Sequence, residues 1–579
     1  MASAPGFIES VHHSADSNRL SKNMHTDADF AVLPLGGAGE IGMNLYLYGW
    51  GRGLSRQWLM VDCGVMFGTP ETPGVELILP DIGFIEERGD DLRAILITHA
   101  HEDHIGAVPW LATRLGVPVY ATKFALLLMR RRLEEHGLED VVELREVKPG
   151  ERLTFGDIGV EYIPVTHSLP EPNAIAFYTP AGTVIHTGDF KIDRHPTIPP
   201  EFSYDRFQAL GDEGVRALVC DSTNAIRPGR SPSEAEVAER LHQLIAEAPQ
   251  RVAVTTFSSH VARIRAVAEA AEAAGREVVV AGYAMRRVIE VAREVGLLES
   301  RHRFLDEEAY GYLPREKVVL LCSGSQGELN AALSRIAEDK HRHITLEEGD
   351  RVIFSSFTIP GNEKAVFAII NKLAMLGVEV IVNTPETLVH TSGHPRQEEL
   401  KELYDLVRPE LLVPMHGEFL HMRAQQRLAE EHGIPETALM ADGELLRLAP
   451  GPAEVLAEVA SGQWHVDGRL LTPGENGPTK RRRKLGWVGL VAVSVALDVK
   501  GNIRGPVQLV TEGVPEFTAS GELMEDVLID AADAALEGMG KARRRNDEHV
   551  IDALRKAVRR AAKAEWGKKP ITHVLVQRV

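Results

Sequence analysis

Three histidines and an aspartate crowd into seven residues, Thr98-His99-Ala100-His101-Glu102-Asp103-His104, directly after the apolar run Ala94-Ile95-Leu96-Ile97. An extended apolar run that stops at such a turn predicts a strand delivering imidazoles and a carboxylate to the end of a sheet. Those donors suit Zn²⁺ and, with more oxygen ligands, Mn²⁺. Four candidate ligands exceed the three protein ligands usual at one catalytic zinc, so the turn predicts a pair of ions. A solvated His-rich turn is the alternative, and it suits a lone histidine better than an HxHxDH array at a strand end.

A chain of 579 residues is too long for one core; roughly one domain per 150 residues predicts three or four. Its 44% hydrophobic and 25% charged content is that of an ordinary globular protein. No apolar stretch reaches bilayer length, and residues 1–29 lack the basic-then-apolar order of a secretion signal. A loose N-terminal extension and a cytoplasmic location are expected. Cys63, Cys220 and Cys322 lie far apart in or beside apolar runs, which predicts buried thiols and no disulfide framework. A net charge of -19 opposes indiscriminate polyanion binding, so a nucleic-acid substrate requires a locally basic groove.

Short apolar strands ending in polar turns recur along the chain, with amphipathic helices between many of them, including Phe124-Glu135, Val261-Ala274, Glu363-Leu376 and a stretch opened by the capping box Ser233-Glu234-Ala235-Glu236. Alternating strands and helices predict α/β layers whose ligands gather beyond the carboxyl ends of strands. Gly37-Ala38-Gly39-Glu40-Ile41-Gly42 matches GxGxxG, yet the alternating strand Met43-Tyr48 follows it where a dinucleotide site needs a helix. Turns between strands explain it better. After about Gly451 the texture changes. Gly474-Pro478 and Lys480-Lys484 read as an exposed connector, followed by a small α/β unit. On its second helix Arg555, Arg559 and Lys563 fall at i, i+4 and i+8 beside Lys556 and Arg560, a face that either meets RNA or is merely solvated.

Further ligands for two ions stand at other strand ends: His167 in Val165-Thr166-His167-Ser168, Asp189 in His186-Thr187-Gly188-Asp189, and His416 in Met415-His416-Gly417-Glu418. A carboxylate bridges two ions well, which favours Asp189 for that place. His186, still within the strand, is expected to pack.

The same segments, with Asp62 in Val61-Asp62-Cys63-Gly64, resemble the metallo-β-lactamase fold. Asp221-Ser222-Thr223, Ser392-Gly393-His394 and Met415-His416-Gly417-Glu418 resemble the three motifs of the β-CASP nucleases. Leu35-Asn44, Ser323-Glu328 and Ile359-Glu363 are similar to the ribonuclease J family of bacterial exo- and endoribonucleases. The resemblance implies His99, His101 and His167 on one metal, Asp103, His104 and His416 on the other, and Asp189 between them. It also implies an α/β chain built as a metallo-β-lactamase αββα sandwich with an inserted α/β β-CASP domain and a small α/β C-terminal domain. The boundaries expected are an extension over 1–29, the sandwich over 30–215 and 366–446, the insertion over 216–365, a linker over 447–470 and the C-terminal domain over 471–579.

The chemistry expected is metal-dependent hydrolysis of single-stranded RNA from a 5′-monophosphorylated end, with internal cleavage as a second mode, in mRNA decay and RNA maturation. Two divalent ions per subunit, Zn²⁺ or Mn²⁺ with Mg²⁺ as a further candidate, serve it, and Asp103 belongs to the catalytic set. His394 is the candidate general acid, because an imidazole transfers a proton near neutrality, with Asp221 orienting it. The turn His390-Thr391-Ser392-Gly393-His394 offers hydroxyls and backbone N-H groups for the 5′ phosphate. Ser258, Ser259 and His260 are candidates to complete that pocket, although a capped helix start before Val261 accounts for the serines equally well. Self-association into dimers or tetramers through the C-terminal unit is expected, and no membrane. A β-CASP nuclease for DNA, a small-ester hydrolase and a non-catalytic RNA-binding subunit are the other readings.

Overall fold

A computed structural model of the protein describes residues 28–328, 330–359, 361–475 and 477–579. All but the last two residues of the expected extension over 1–29 lie outside the described residues, and Asp29 opens the first strand. That strand, Asp29–Gly36, is central to an eight-stranded sheet with Leu45–Arg52, Ser55–Val61 and Leu92–Leu96 on one side and Glu444–Ala449 and Glu454–Glu458 on the other. A seven-stranded sheet, running from Arg152–Phe155 through Gly182–His186, Ala217–Asp221 and Leu411–Met415, faces it. Between the sheets, Phe30, Tyr48 and Val61 interlock with Tyr162, Phe177 and Val413, and the Tyr48 and Phe177 rings stack at 4.4 Å. Alternation along each strand drives this packing, since every second side chain points into the shared layer. This two-sheet architecture and the separate α/β units below match the fold expected.

The inserted unit is a six-stranded parallel sheet whose centre, Glu277–Ala281, Val318–Cys322, Val252–Thr255 and Arg351–Phe354, reads as unbroken apolar runs because helices cover both faces. Two of its features correct the expected boundaries. Ala217–Asp221 belongs to the sandwich, paired in parallel with Leu411–Met415, so the insertion begins after Asp221 and not at 216. Helix Glu363–Met375 packs on the inserted sheet, and Glu379–Ile381 adds an edge strand to it, so the chain returns to the sandwich well after residue 366. The segment 447–470 is not a linker either: Glu454–Glu458 extends the large sheet and Gln463–Asp467 pairs with Leu77–Pro80.

The expected connector around Lys480–Lys484 is the helix Pro478–Val488, started by proline at its first position. Beyond it, Gln508–Glu512, Leu490–Leu497 and Ile571–Arg578 form a three-stranded sheet under helices Met524–Glu537 and Asp547–Trp566. Arg555, Lys556, Arg560 and Lys563 on the latter helix are exposed, and Lys556 pairs with Asp552 at 2.7 Å. Among the described residues no helix is long and apolar enough to cross a membrane. Cys63, Cys220 and Cys322 are buried free thiols.

One buried ionic network ties the inserted unit to the sandwich. Glu234, at the start of helix Glu234–Glu247, accepts two hydrogen bonds from Arg263 at 3.0 Å, and Arg263, fully buried, also donates to the carbonyl of Val389 at 3.0 Å on the returning chain. Burial alone would raise the Glu234 carboxyl, but Arg263 and His260 hold it well below its ordinary 4.5. A carboxylate depressed in the folded state stabilises above its unfolded value and loses that contribution as the pH falls towards the folded one. Glu234→Gln is therefore expected to cost about 3–5 kcal/mol in urea unfolding at pH 7, because it leaves Arg263 buried and uncompensated. The deficit should shrink below about pH 4.5 as the wild type loses the same charge.

Candidate metal centre

Strand ends place the site. Gly182–His186, Ala217–Asp221 and Leu411–Met415 are neighbouring parallel strands, and beyond their carboxyl ends lie Asp189, Asp221 and His416. From the facing sheet, Leu92–Leu96 delivers Thr98 through His104, while His167 follows Ile158–Pro164 of the seven-stranded sheet itself. Ligand atoms of His99, His101, His167 and Asp189 all fall within 4.8 Å of one another, as do those of Asp103, His104, Asp189 and His416. A third group joins Asp189, Asp221, His394 and His416. Every expected ligand is thus brought together, and Asp189 is common to all three groups.

Four of the five ligand rings are turned inward by a partner behind them. Asp62 Oδ2 lies 2.7 Å from His104 Nδ1, and Asp62 also accepts from the Thr98 N-H and hydroxyl, each at 2.8 Å. Thr98 Oγ1 meets His99 Nδ1 at 2.9 Å, and Thr223 Oγ1 meets His416 Nδ1 at 2.9 Å. His167 Nδ1 donates to the Gly393 carbonyl at 2.7 Å. Anchoring one ring nitrogen fixes the tautomer and leaves the other as a ligand lone pair, the usual arrangement behind metal-binding imidazoles. Asp62 and His416 adopt left-handed backbone, φ 62° and 47°, strain of the kind that sites retain when the surroundings enforce it. His416 N-H donates to the Gly37 carbonyl at 2.9 Å, and a Cβ on Gly37 would lie 2.6 Å from the Tyr46 hydroxyl. The glycine-rich turn therefore supports a ligand. His186 packs in the strand, its Nδ1 2.8 Å from the Tyr48 hydroxyl.

The donor set fits divalent cations. His99 Nε2 and His167 Nε2 stand 3.2 and 3.1 Å from His101 Nδ1, nitrogens facing nitrogens, and Asp189 Oδ1 is buried without a hydrogen bond. Neutral imidazoles pointing at one spot, next to an unsatisfied carboxylate oxygen, are arranged for a cation. Burial, the largest effect, would lower all the histidines. It prevails at His99 and His167, and brings His101 to about 4. At His416 the carboxylates of Asp189, Asp103 and Asp221 overcome it and raise the ring to about 10. Cations entering the site displace such protons, so metal affinity falls with acidity.

His394 Nδ1 is 2.7 Å from Asp221 Oδ2, and its Nε2 is 4.0 Å from Asp189 Oδ2. Burial lowers this ring too, but Asp221 and Asp189 outweigh it and hold His394 above its ordinary value. The phosphate pocket expected around it needs revision. His260 is buried, its Nδ1 accepts from Arg263 N-H and its Nε2 lies 3.2 Å from Glu234, so it caps helix Val261–Ala273 and is not free for a phosphate. Ser258 and Ser259 are half-buried beside that cap and are not the capping residue. The Thr391 hydroxyl spends its proton on the Pro232 carbonyl at 2.8 Å, so that hydroxyl is not a free donor for an anion. The Ser392 hydroxyl accepts from Asn224 and from His394 N-H and keeps its proton, while buried His390 has an unpartnered Nδ1.

Sequence reasoning missed Thr98, Thr223 and Asn44 as supports of ligands. Asn44 Nδ2 donates to the Asp103 carbonyl at 3.2 Å. Their only signal is a polar residue beside a ligand motif. Gly393 was expected in a flexible anion-binding turn, but it acts by close approach: a Cβ there would lie 2.5 Å from two atoms of the His167 ring. Gly393→Ala is expected to lower kcat/KM about 10–100-fold by tilting that ring, and to raise the metal concentration for half-maximal activity.

Four family models cover most of the chain: the metallo-beta-lactamase superfamily over residues 44–235, the ribonuclease J beta-CASP domain over 249–373, the Zn-dependent metallo-hydrolase RNA specificity domain over 379–439 and the ribonuclease J C-terminal domain over 479–579. Ribonuclease J of Sinorhizobium meliloti is 50% identical over 559 residues, 96% of this chain and 99% of that protein. The chain belongs to the ribonuclease J family. Ribonuclease J of Mycobacterium tuberculosis is 42% identical over 478 residues, covering 82% of this chain and 84% of that protein. A crystal structure of a protein of unknown function from Enterococcus faecalis, 18% identical, superposes with a TM-score of 0.50 over 72% of this chain and all of its own, a likeness of fold alone. Within the ribonuclease J family, the two His/Asp groups and the His394–Asp221 pair constitute the candidate metal-dependent hydrolytic centre of this chain.

Proposed function

We propose that this chain is a metal-dependent ribonuclease that removes nucleotides from the 5′ end of single-stranded RNA, prefers a 5′-monophosphate and also cuts internally, in cytoplasmic RNA decay and maturation. The observation that carries it is the convergence of two ligand groups on Asp189, with His394 and Asp221 adjoining them. His99, His101, His167 and Asp189 would hold one divalent ion, and Asp103, His104, Asp189 and His416 a second, Zn²⁺ or Mn²⁺ on donor type. Bound there, such a pair would supply a nucleophile from water at neutral pH and offset the charge that builds on phosphorus.

The protein supplies the rest. Asp62, Thr98, Thr223 and the Gly393 carbonyl fix the ring orientations, so no reorganisation is needed as charge develops. Asp221 holds the His394 ring by Nδ1 and favours its protonated form. The Nε2 proton, facing the cluster, passes to the leaving oxygen as the P–O bond breaks. The Ser392 hydroxyl proton and the His390 ring would receive the 5′ phosphate, with Ser258 and Ser259 as further candidate donors.

Digestion of 5′-labelled RNA tests this: mononucleotide release with Mn²⁺, Mg²⁺ or Zn²⁺ that stops in chelator supports it, and tight RNA binding without turnover in any of them overturns it. Competing RNA, DNA and a lactone in one assay separates it from a DNA nuclease or a small-ester hydrolase.

We also propose that the C-terminal unit drives self-association into dimers or tetramers. Because residues 454–458 extend the eight-stranded sheet and 463–473 form a small sheet with Leu77–Pro80, the cut that spares these pairings lies at residue 478. A chain ending there is expected to show a lower assembly state in light scattering, and an unchanged subunit number would sink the idea.

A further inference from the structure

Arg227 and Arg396 stand on two adjoining segments close to His394. Arg227 follows strand Ala217–Asp221, and Arg396 lies two residues beyond His394 at the start of helix Gln397–Val407. The N-H of Gln397 donates to the Arg227 carbonyl at 3.1 Å, and the Gln397 side chain to that of Ala225 at 3.0 Å, so the two segments are stitched together. The Arg227 guanidinium lies over the Phe357 ring, 5.2 Å from its centroid. Phe357 meets His390 edge-on at 4.8 Å. Asn224, three residues before Arg227, donates from Nδ2 to the Ser392 hydroxyl at 2.8 Å and to the His394 carbonyl at 3.2 Å, which sets the pair beside the His/Asp cluster.

This chain carries 83 acidic residues against 64 lysines and arginines, and many of its arginines lie against carboxylates. Arg206 meets Glu161 at 2.8 Å and Arg216 meets Glu436 at 2.7 Å. Arg227 and Arg396 make no ion pair among the described residues, and Arg396 Nε is buried without a partner. Burial and the charge of Arg396 both press the Arg227 guanidinium down. Two like charges brought within reach of each other in an acidic protein disfavour the empty arrangement, and an anion relieves it. An aromatic ring under a guanidinium holds its plane while the in-plane N-H fork stays free, the geometry that takes phosphate oxygens in pairs.

We propose that Arg227 and Arg396 form a subsite for one internucleotide phosphate of the RNA, next to the bond that is cut. The inference rests on the ribonuclease reading above. It is distinct from the pocket for the terminal phosphate, whose donors are Ser392 and His390, and it gives an acidic protein the local positive charge that a polyanionic substrate requires.

The test measures KM and kcat on single-stranded RNA with 5′-monophosphate and 5′-hydroxyl ends over a series of salt concentrations, for the wild type, the pair R227Q/R396Q and the pair R227K/R396K. The glutamine pair is expected to raise KM about tenfold on both kinds of end. Its plot of log(1/KM) against log[salt] should be flatter by about 0.7, the slope of one lost phosphate contact on a single strand. The lysine pair should restore the slope. An unchanged slope in the glutamine pair, a penalty confined to 5′-monophosphorylated RNA, or a lysine pair as flat as the glutamine pair would each overturn the subsite. Absence of RNA hydrolysis by the wild type would instead overturn the ribonuclease reading, so the two failures are told apart.

Discussion

Asp189→Ala should abolish metal-dependent RNA digestion, with a loss of at least about a thousandfold in kcat/KM, or roughly 4 kcal/mol of transition-state stabilisation. The reason is its place. Its Oδ2 stands 3.2 Å from His104 Nε2, 3.6 Å from His99 Nε2 and 3.8 Å from His167 Nε2, while Oδ1 is 3.3 Å from His416 Nδ1. Alanine removes the one carboxylate shared by both ligand groups, so neither retains its full set. His101→Ala is expected to act in the same direction by depleting one group. Both variants should keep wild-type circular dichroism, since neither side chain belongs to an apolar core. Normal digestion by Asp189→Ala would refute the assignment of the site.

Removing His394 should leave metal content intact and lower kcat about 10²–10⁴-fold, the range for loss of a positioned general acid. Asp221→Asn probes the same step through pH. In the wild type Asp221 and Asp189 hold the His394 ring above its ordinary value against the effect of burial. A general acid must be protonated, so activity declines as the pH rises through that value. Deleting the Asp221 charge lowers it, and the alkaline limb of the pH profile is expected to move to lower pH. A limb that stays in place, or full activity in His394→Ala, would remove this residue from the proton-transfer role.

The site was legible because its chemistry is concentrated at strand ends. HxHxDH after an apolar run identified a metal nest from residue types alone, and His167 and Asp189 followed from the same logic. His416 gains its place from pairing in space: Leu411–Met415 lies beside Ala217–Asp221, a contact between segments nearly two hundred positions apart that no local pattern encodes. The return point of the insertion was missed for a related reason. Glu363–Met375 followed by Glu379–Ile381 has the texture of any helix-strand unit, and period alone does not say which parallel sheet receives it. His260 shows the limit at a single residue. Ser-Ser-His before a helix offers three capping candidates, and the choice falls to buried Glu234 and Arg263, both distant in sequence or on the far side of the turn. The Thr391 hydroxyl shows a second limit, because a hydroxyl donates to a ligand only while its proton is free, and here the Pro232 carbonyl takes it.

Anomalous diffraction from crystals grown with Mn²⁺ tests the central claim most directly. The account predicts two peaks per chain on either side of Asp189, one among His99, His101 and His167 and the other among Asp103, His104 and His416, both absent from Asp189→Ala. Peaks elsewhere, or none in a protein that still digests RNA, would contradict it.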